Sequence, residues 1–357
     1  MNMTFPMISA AGSGREIGKQ VGEKAKKQIE HNLKAYEQLF EAQAGISWET
    51  ARKRASDIIP VILEYDQEIM EEIRGISEGS GSLLEDIVAL NARSEIILKP
   101  DGCTSLGAVS PATANGDVIL GQNWDWGELL KDGLIVLDIK QVNGPDILMV
   151  TEAGIVGKIG MNSSGLGVCL NLMGTAKNKE DGVPVHVVLR GILNSKNISQ
   201  AVGQVNRKDR GVAANFLLAH REGETMDVEA SSEDYEVIYP ESGAISHANH
   251  FIGERKVNIK DYGRLLYPDS HLRQGRSEKL LNSCLGNINE DTFKNIFSDH
   301  SGYPDSICRH GELYPVEDGR PRASNTVFSI IMNLSRGLIK VAGGQPCTFP
   351  YNTISFK

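Results

Sequence analysis

Between residues 14 and 98 apolar side chains recur at helical spacing among many charges, with Ile29, Leu33, Tyr36, Leu39 and Phe40 forming the clearest run. This predicts an amphipathic helical block. A second helix is expected over residues 51–76, with Ile58, Ile62, Tyr65, Ile69, Met70 and Ile73 on or near one face and Pro60 bending or starting it. The glycines from Gly75 to Gly81 read as a break. Ser82 then reads as an N-cap, with Glu85 at the capping-box position, for a helix through Asn91 and Arg93. Residues 99–102 read as an exposed turn.

After Cys103 the texture changes to short β-rich runs at 105–109, 118–123, 134–141 and 147–152, with hairpin signals at Asn115-Gly116 and Asn143-Gly144. Further strands are expected at 158–161 and 167–172 around the turn Asn162-Ser163-Ser164-Gly165, and again at 215–220, 225–230 and 235–239. Helices are expected at 186–195, 199–205, 276–281 and 290–297, and a closing hairpin at 326–333 and 338–342. Antiparallel strands with segregated helices predict an α+β layered architecture rather than a βαβ repeat. No repeat or long linker divides the chain, so it reads as one compact domain.

Composition narrows the function classes. The 357 residues are 40% hydrophobic, enough for a sizeable core, and the formal charge of -9 offers no basic face for nucleic acid. No apolar stretch is long enough to span a membrane and no signal sequence is evident, so the expectation is a cytoplasmic protein without a membrane partner. Cys103, Cys169, Cys284, Cys308 and Cys347 are odd in number and widely separated, which argues against a disulfide framework. The scattered histidines include His247 and His250 but no HExxH context, so no metal and no cofactor is expected.

Gly102-Cys103 stands where the helical block meets the first strand. A glycine admits backbone geometries that other residues avoid, and a thiol beside it could attack the preceding carbonyl in an N-to-S acyl shift. Hydrolysis of the thioester would leave a thiol and an α-amine on one residue. That amine, with a free pKa of about 7.7 to 8.0, would serve as the base that no neighbouring His or Asp supplies. The same dipeptide also fits a buried small thiol. Asp125, one hairpin later in GQNWDW, can return to the cysteine and hold an ammonium, or simply end a strand. Trp124 and Trp126 read as alternating across that strand, one in the core and one at the rim of the site. Glu152 reads as a solvated strand-end charge.

The segments DGCTS, GQNWDW, TEAGIVGKIGMNSSG, HANH and DSICR, together with EIRGISEGSGSLLEDIVALNARSEI, occur in an order and spacing that resembles the fungal acyl-coenzyme A:6-aminopenicillanic acid acyltransferases, or isopenicillin N acyltransferases. These are N-terminal nucleophile hydrolases, with penicillin V acylases and bile-salt hydrolases as more distant relatives. The resemblance implies a four-layer αββα sandwich of that type and cleavage between Gly102 and Cys103 into a chain 1–102 and a chain 103–357 that stay together as a heterodimer. It implies Cys103 as nucleophile and base, Asp125 orienting its amine, Asn249 in the oxyanion hole, Arg309 supporting the nucleophile, and Asn171 as a second oxyanion or substrate-binding amide. Ser231 falls near a serine of the family's active region, and Ser231 and Trp126 are carried as substrate-binding candidates.

The implied reaction is hydrolysis of an acylated amine, or acyl transfer from an amide or thioester such as an acyl-coenzyme A, through an S-acyl-enzyme. Further self-association is left open. The ending Ser355-Phe356-Lys357 differs from the family's peroxisomal signal and argues against penicillin biosynthesis. Two other classes stay open. One is a papain-like thiol protease using Cys103 with His247 or His250, although the QACRG and CGSCW signatures are absent. The other is a noncatalytic small-molecule binder on the same fold.

Overall fold

The computed structural model describes residues 5–97, 102–175, 178–254, 259–311 and 324–356. In chain order its elements are β1 (Met7–Gly12), α1 (Gly14–Lys24), α2 (Lys26–Ala44), α3 (Trp48–Tyr65), α4 (Gln67–Ser80), α5 (Leu84–Asn91), α6 (Arg93–Ile97), β2 (Gly102–Ala108), β3 (Ile119–Gly127), β4 (Leu134–Gln141), β5 (Ile147–Glu152), β6 (Ile159–Asn162), β7 (Leu166–Leu172), α7 (Val185–Leu193), α8 (Ile198–Val205), β8 (Ala214–His220), β9 (Glu224–Ala230), β10 (Tyr235–Ile238), β11 (Ala244–His247), α9 (Gly263–Leu266), α10 (Asp269–Asn282), α11 (Glu290–Phe297), β12 (Ser324–Asn333), β13 (Leu338–Ala342) and β14 (Asn352–Ser355). The α+β class expected from the pattern is the class observed. No described helix is long and apolar enough to cross a membrane.

The chain forms two compact units, one of residues 1–99, 132–164 and 178–212, the other of 100–131, 165–177 and 213–357. The first unit carries α1 to α8 and the strands β1, β4, β5 and β6. Strands β4, β5 and β6 are successive antiparallel neighbours, and β1 adds in parallel to β4. The helix expected over 51–76 is two helices. Asp66 leaves the helical region at φ -160° and ψ 117°, ending α3, and its carboxylate accepts the Ile69 N–H at 3.1 Å to cap α4. Pro60 lies inside α3.

The expected break at Gly75 is also revised. Gly75 and Gly79 are helical and face Gly18 and Gly22 of α1. A Cβ on Gly18 would stand 2.0 Å from the Glu72 carbonyl oxygen, and one on Gly75 would stand 2.2 Å from the Arg15 carbonyl oxygen. The glycines therefore let two helix backbones touch, and α4 ends only at the left-handed Gly81, φ +77°. The next helix begins at Leu84 rather than after Ser82, and Asp86 rather than Glu85 reaches back, accepting the Leu83 N–H at 3.3 Å.

Glu152 is not solvated. It is fully buried and receives Lys158 at 2.9 Å, Arg93 at 3.3 Å and the Tyr36 hydroxyl. Burial alone would raise its pKa, but Arg93 and Lys158 outweigh it and hold the carboxyl at about 2. In the same unit Arg190 pairs with buried Glu72 at 2.7 Å, and Glu95 accepts the Val185 N–H at the start of α7 at 2.8 Å.

The second unit holds a six-stranded sheet ordered β11-β2-β3-β12-β13-β14 and the antiparallel run β7-β8-β9-β10. These sheets pack face to face through β2, β3 and β7. On its other face the six-stranded sheet is covered by α10 and α11, whose Leu281, Phe293, Ile296 and Phe297 join Leu106, Ile119 and Ile331 in one apolar cluster. Residues 98–101 lie outside the described ones, so the turn expected at 99–102 is seen only from Gly102, which is already strand.

Candidate active site

Cys103 is the second residue of β2, buried, with β3 antiparallel beside it in the register Gly102↔Asp125 and Cys103↔Trp124. Residues directly opposite share a face and neighbours alternate, so the two ends of the Gly102-Cys103 peptide sort to opposite sides of the sheet. On one side lie Cys103 and Ser105, facing β7, where the Ser105 hydroxyl donates to Asn171 Oδ1 at 2.7 Å. On the other lie Gly102, Thr104 and Asp125, facing α10.

Asp125 is fully buried. Its Oδ1 accepts the Thr326 hydroxyl at 2.7 Å across the β3–β12 ladder. Its Oδ2 has Arg309 Nε at 3.6 Å and no hydrogen-bond donor within reach. That oxygen points at residue 102, since a Cβ on Gly102 would stand 3.2 Å from it. Burial raises the Asp125 carboxyl to about 6, with Arg309 and Arg273 limiting the rise. Arg309 is itself buried. Burial works against its charge, but Asp125, Asp269 and Asp305 keep the guanidinium protonated. It forms an ion pair with Asp269 and meets Asp305 at 3.2 Å.

On the outer side of β2, the register Ser246↔Leu106 and His247↔Ser105 extends to bring Asn249 opposite Cys103. Asn249 Oδ1 accepts the Cys103 N–H at 2.8 Å, while its Nδ2 donates to the Leu172 carbonyl at 3.0 Å. In the continuous chain, then, the oxygen of this amide faces the cysteine. Arg273 of α10 supplies the second donor to Asn249 Oδ1, at 2.9 Å, and also donates to the Cys103 carbonyl and to Thr104 Oγ1 at 3.2 Å. Asp269, four residues earlier on the same helix face, accepts both Arg273 and Arg309. These two carriers of the site escaped the sequence reading because α10 was expected to start at 276. An i, i+4 Asp–Arg pair was the available signal, on a helix whose buried face is mostly polar.

Asn171 sits one strand further in. Besides Ser105 it receives Asn215 Nδ2 at 3.3 Å, and it donates to the His247 carbonyl at 3.2 Å. Asn215 in turn donates to Asp227 at 2.5 Å, and burial raises that carboxyl to about 6. The structure thus brings Cys103, Asp125, Asn249, Arg309 and Asn171 around one strand end. Ser231 instead organises the β9–β10 turn, its hydroxyl lying 3.2 Å from the Asp234 carbonyl and accepting the Asp234 N–H at 3.1 Å. The alternation expected for Trp124 and Trp126 fails. Two residues apart on a strand they share a face, and both are buried, Trp124 against Phe328 at 5.3 Å between ring centroids.

Neither histidine fits a papain-like base. His247 Nε2 meets Glu229 at 2.7 Å and Nδ1 meets the Ala248 carbonyl at 2.8 Å, so both nitrogens face acceptors. Burial disfavours its charge, but Asp227 and Glu229 raise its pKa on balance, as suits an imidazolium. His250 Nδ1 is 2.7 Å from the Ser270 hydroxyl. Burial and the neighbouring His271, its ring tilted at 47°, push its pKa down to about 3.

The sequence profile of the family described as acyl-coenzyme A:6-aminopenicillanic acid acyl-transferase matches residues 112–346. The 40 kDa form of acyl-coenzyme A:6-aminopenicillanic-acid-acyltransferase from Emericella nidulans is 30% identical over 351 residues, covering 95% of this chain and 92% of that protein. Protein dcd1B of Dictyostelium discoideum is 23% identical over 236 residues, covering 64% of this chain and 46% of that protein. Among solved structures, the Caenorhabditis elegans ortholog of N-acylethanolamine-hydrolyzing acid amidase aligns over 65% of this chain and 93% of its own, at 18% identity and TM-score 0.46. Penicillin V acylase from Agrobacterium tumefaciens aligns over 70% of this chain and 84% of its own, at 14% identity and TM-score 0.46.

Proposed function

The chain belongs to the acyl-coenzyme A:6-aminopenicillanic acid acyl-transferase family, and from that premise we propose that it is a self-processing N-terminal cysteine amidohydrolase or acyltransferase with Cys103 as nucleophile. The observation that carries the reading is the buried Asp125 Oδ2, turned toward Gly102 without a hydrogen-bond donor. A buried carboxylate oxygen in that condition is costly, and an ammonium formed on Cys103 is the donor that would relieve it.

In processing, Cys103 Sγ attacks the Gly102 carbonyl carbon. The C–N bond breaks with a proton going to nitrogen, and Gly102 is carried as a thioester. Water then hydrolyses the thioester, leaving a carboxylate on Gly102 and a free thiol and amine on Cys103. In turnover the amine takes the thiol proton as Sγ attacks an acyl carbonyl, and returns it to the leaving amine or thiol. The S-acyl-enzyme passes its acyl group to water or to an amine. Small-molecule amides and thioesters are two donors to that one intermediate, and hydrolysis and acyl transfer are its two fates.

Asn249 and Asn171 are read as the amides that donate to the oxyanion, which requires Nδ2 of Asn249 to turn from the Leu172 carbonyl and Nδ2 of Asn171 to turn from the His247 carbonyl. One such donor is worth roughly 3 kcal/mol. Arg309 and Arg273 supply positive charge that favours thiolate. Ser231 and Trp126 are carried as substrate-side residues. A reducing, cytoplasmic setting suits a chain whose five cysteines are all free thiols.

The test is denaturing electrophoresis with N-terminal sequencing of the purified protein. Two fragments, the larger of 255 residues beginning Cys-Thr-Ser, are expected, and Cys103→Ala should give a single inactive chain. A chain that stays whole and still cleaves amides would overturn the reading, as would a Cys103→Ala protein that splits at the same bond.

A further inference from the structure

Four side chains that the mechanism does not use converge on one point. His300 follows α11, Cys308 and His310 flank Arg309, and Cys347 lies beyond β13, so three separate stretches of chain contribute. Their ligand atoms all fall within 4.8 Å of one another. His300 Nε2 is 3.1 Å from His310 Nε2, Cys308 Sγ is 3.6 Å from Cys347 Sγ, and His310 Nε2 stands 3.4 Å from Cys308 Sγ and 3.3 Å from Cys347 Sγ.

We propose that His300, Cys308, His310 and Cys347 form a Cys2His2 site for a tetrahedral zinc ion. Zinc takes thiolate sulfur at about 2.3 Å and imidazole nitrogen at about 2.0–2.1 Å. A regular tetrahedron with those bonds sets its ligands apart by about 3.8 Å for S–S, about 3.6 Å for S–N and about 3.3 Å for N–N. These four separations follow that order and lie within a few tenths of an ångström of it, and His300 stands within 4.8 Å of both sulfurs. Two soft thiolates with two imidazoles select zinc over hard cations such as magnesium or calcium. Four protein ligands close the coordination shell, which is the pattern of a structural rather than a catalytic ion.

The expectation of no metal came from searching the sequence for close ligand spacings. Here only Cys308 and His310 are near each other in the chain. The site has a clear structural consequence. The loop after α11 is held by the Cys308 N–H to the Asp299 carbonyl at 3.0 Å and the His310 N–H to the Pro304 carbonyl at 3.0 Å. Arg309, between two of the ligands, donates its N–H to Thr326 Oγ1 at 2.9 Å, the same hydroxyl that donates to Asp125. An ion would clamp both flanks of Arg309 to the Cys347 segment and fix the guanidinium beside Asp125. His300 and Cys347 are exposed, so the ion can load from solvent.

The test uses the full chain, purified without a polyhistidine tag in reductant, stripped with a chelator and titrated with zinc against a chromophoric competitor. One equivalent per chain is expected to bind. His300→Ala should weaken binding by about tenfold or more, and the pair Cys308→Ser with Cys347→Ser by about a hundredfold or more. Cys103→Ala should bind as the parent does, which separates this site from the nucleophile. Cobalt(II) should give the intense visible bands of a tetrahedral ion with thiolate charge transfer. Failure of the parent to hold zinc against the competitor, an octahedral cobalt spectrum, loss of binding in Cys103→Ala, or a Cys308–Cys347 disulfide in protein kept reduced would each overturn the proposal.

Discussion

Asp125 is raised to about 6 by burial, so the residue titrates where it matters for the reaction proposed. Above about 6 it is a carboxylate able to hold an ammonium, and below it is a neutral acid. Processing and turnover should therefore rise with pH through that value. Stability runs the other way. A carboxyl whose folded pKa exceeds its ordinary 3.8 adds stability below the ordinary range, and that contribution is lost as pH rises through about 6. In a Cys103→Ala background, expected to keep the chain whole, the protein with Asp125 should lose more stability than Asp125→Asn between pH 4 and 7.5, by about 3 kcal/mol at most. Urea midpoints at both pH values measure the difference, and equal losses would mean that Asp125 does not titrate there. In the active background Asp125→Asn should slow turnover by about a hundredfold or more.

That Cys103, Asp125, Asn249 and Arg309 would come together was legible because they sit in short blocks of recognisable order. The part of Arg273, Thr326 and Ser105 was not. Each joins the cluster through a cross-strand, sheet-to-sheet or helix-to-strand contact that one-dimensional spacing does not encode.

Among the elements, the seam between α1 and α4 shows how a local rule can mislead. Glycine lowers helix propensity, so Gly75 and Gly79 read as a break. Tertiary contact overrides the propensity, because only glycine lets the backbones of α1 and α4 approach so closely. Gly18→Leu has no space to occupy without separating the helices, and should cost about 1–3 kcal/mol or more. A lowered thermal midpoint with an unchanged site would agree, while an unchanged midpoint would show that the seam gives way easily. Period-2 runs located most strands well, but β1, β11 and β14 were not expected, and the last two, of four residues each, are too brief for a pattern to separate from loop. The split at Asp66 escaped for a related reason, as the apolar stripe continues past the cap.

For the molecule as a whole, the first compact unit contains residues from both sides of the Gly102-Cys103 bond. Within it Arg93 pairs with Glu152, Glu72 with Arg190, and β1 runs beside β4. These are buried contacts, and removing one partner of such a pair is strongly unfavourable. The fragments 1–102 and 103–357 should therefore elute together in size exclusion after processing and part only in denaturant. Separate elution under native conditions would contradict the heterodimer expected here. The fold class could be read from segregated helical and strand texture. The interleaving of the two units could not, because each excursion of the chain is short and carries no compositional mark.

Strand β2 is bonded to β3 along its full length from Gly102, and to β11 from Ser105 onward. A chain end usually frays, because nothing restrains its last residues. A terminus created at Cys103 would instead be born in the middle of a sheet, with the conformational entropy of its backbone already surrendered when the uncut chain folded. A nucleophile so formed would have no orientational search to make before each turnover, since the restraint that aligns it would be set once, at folding, and would outlast the broken bond.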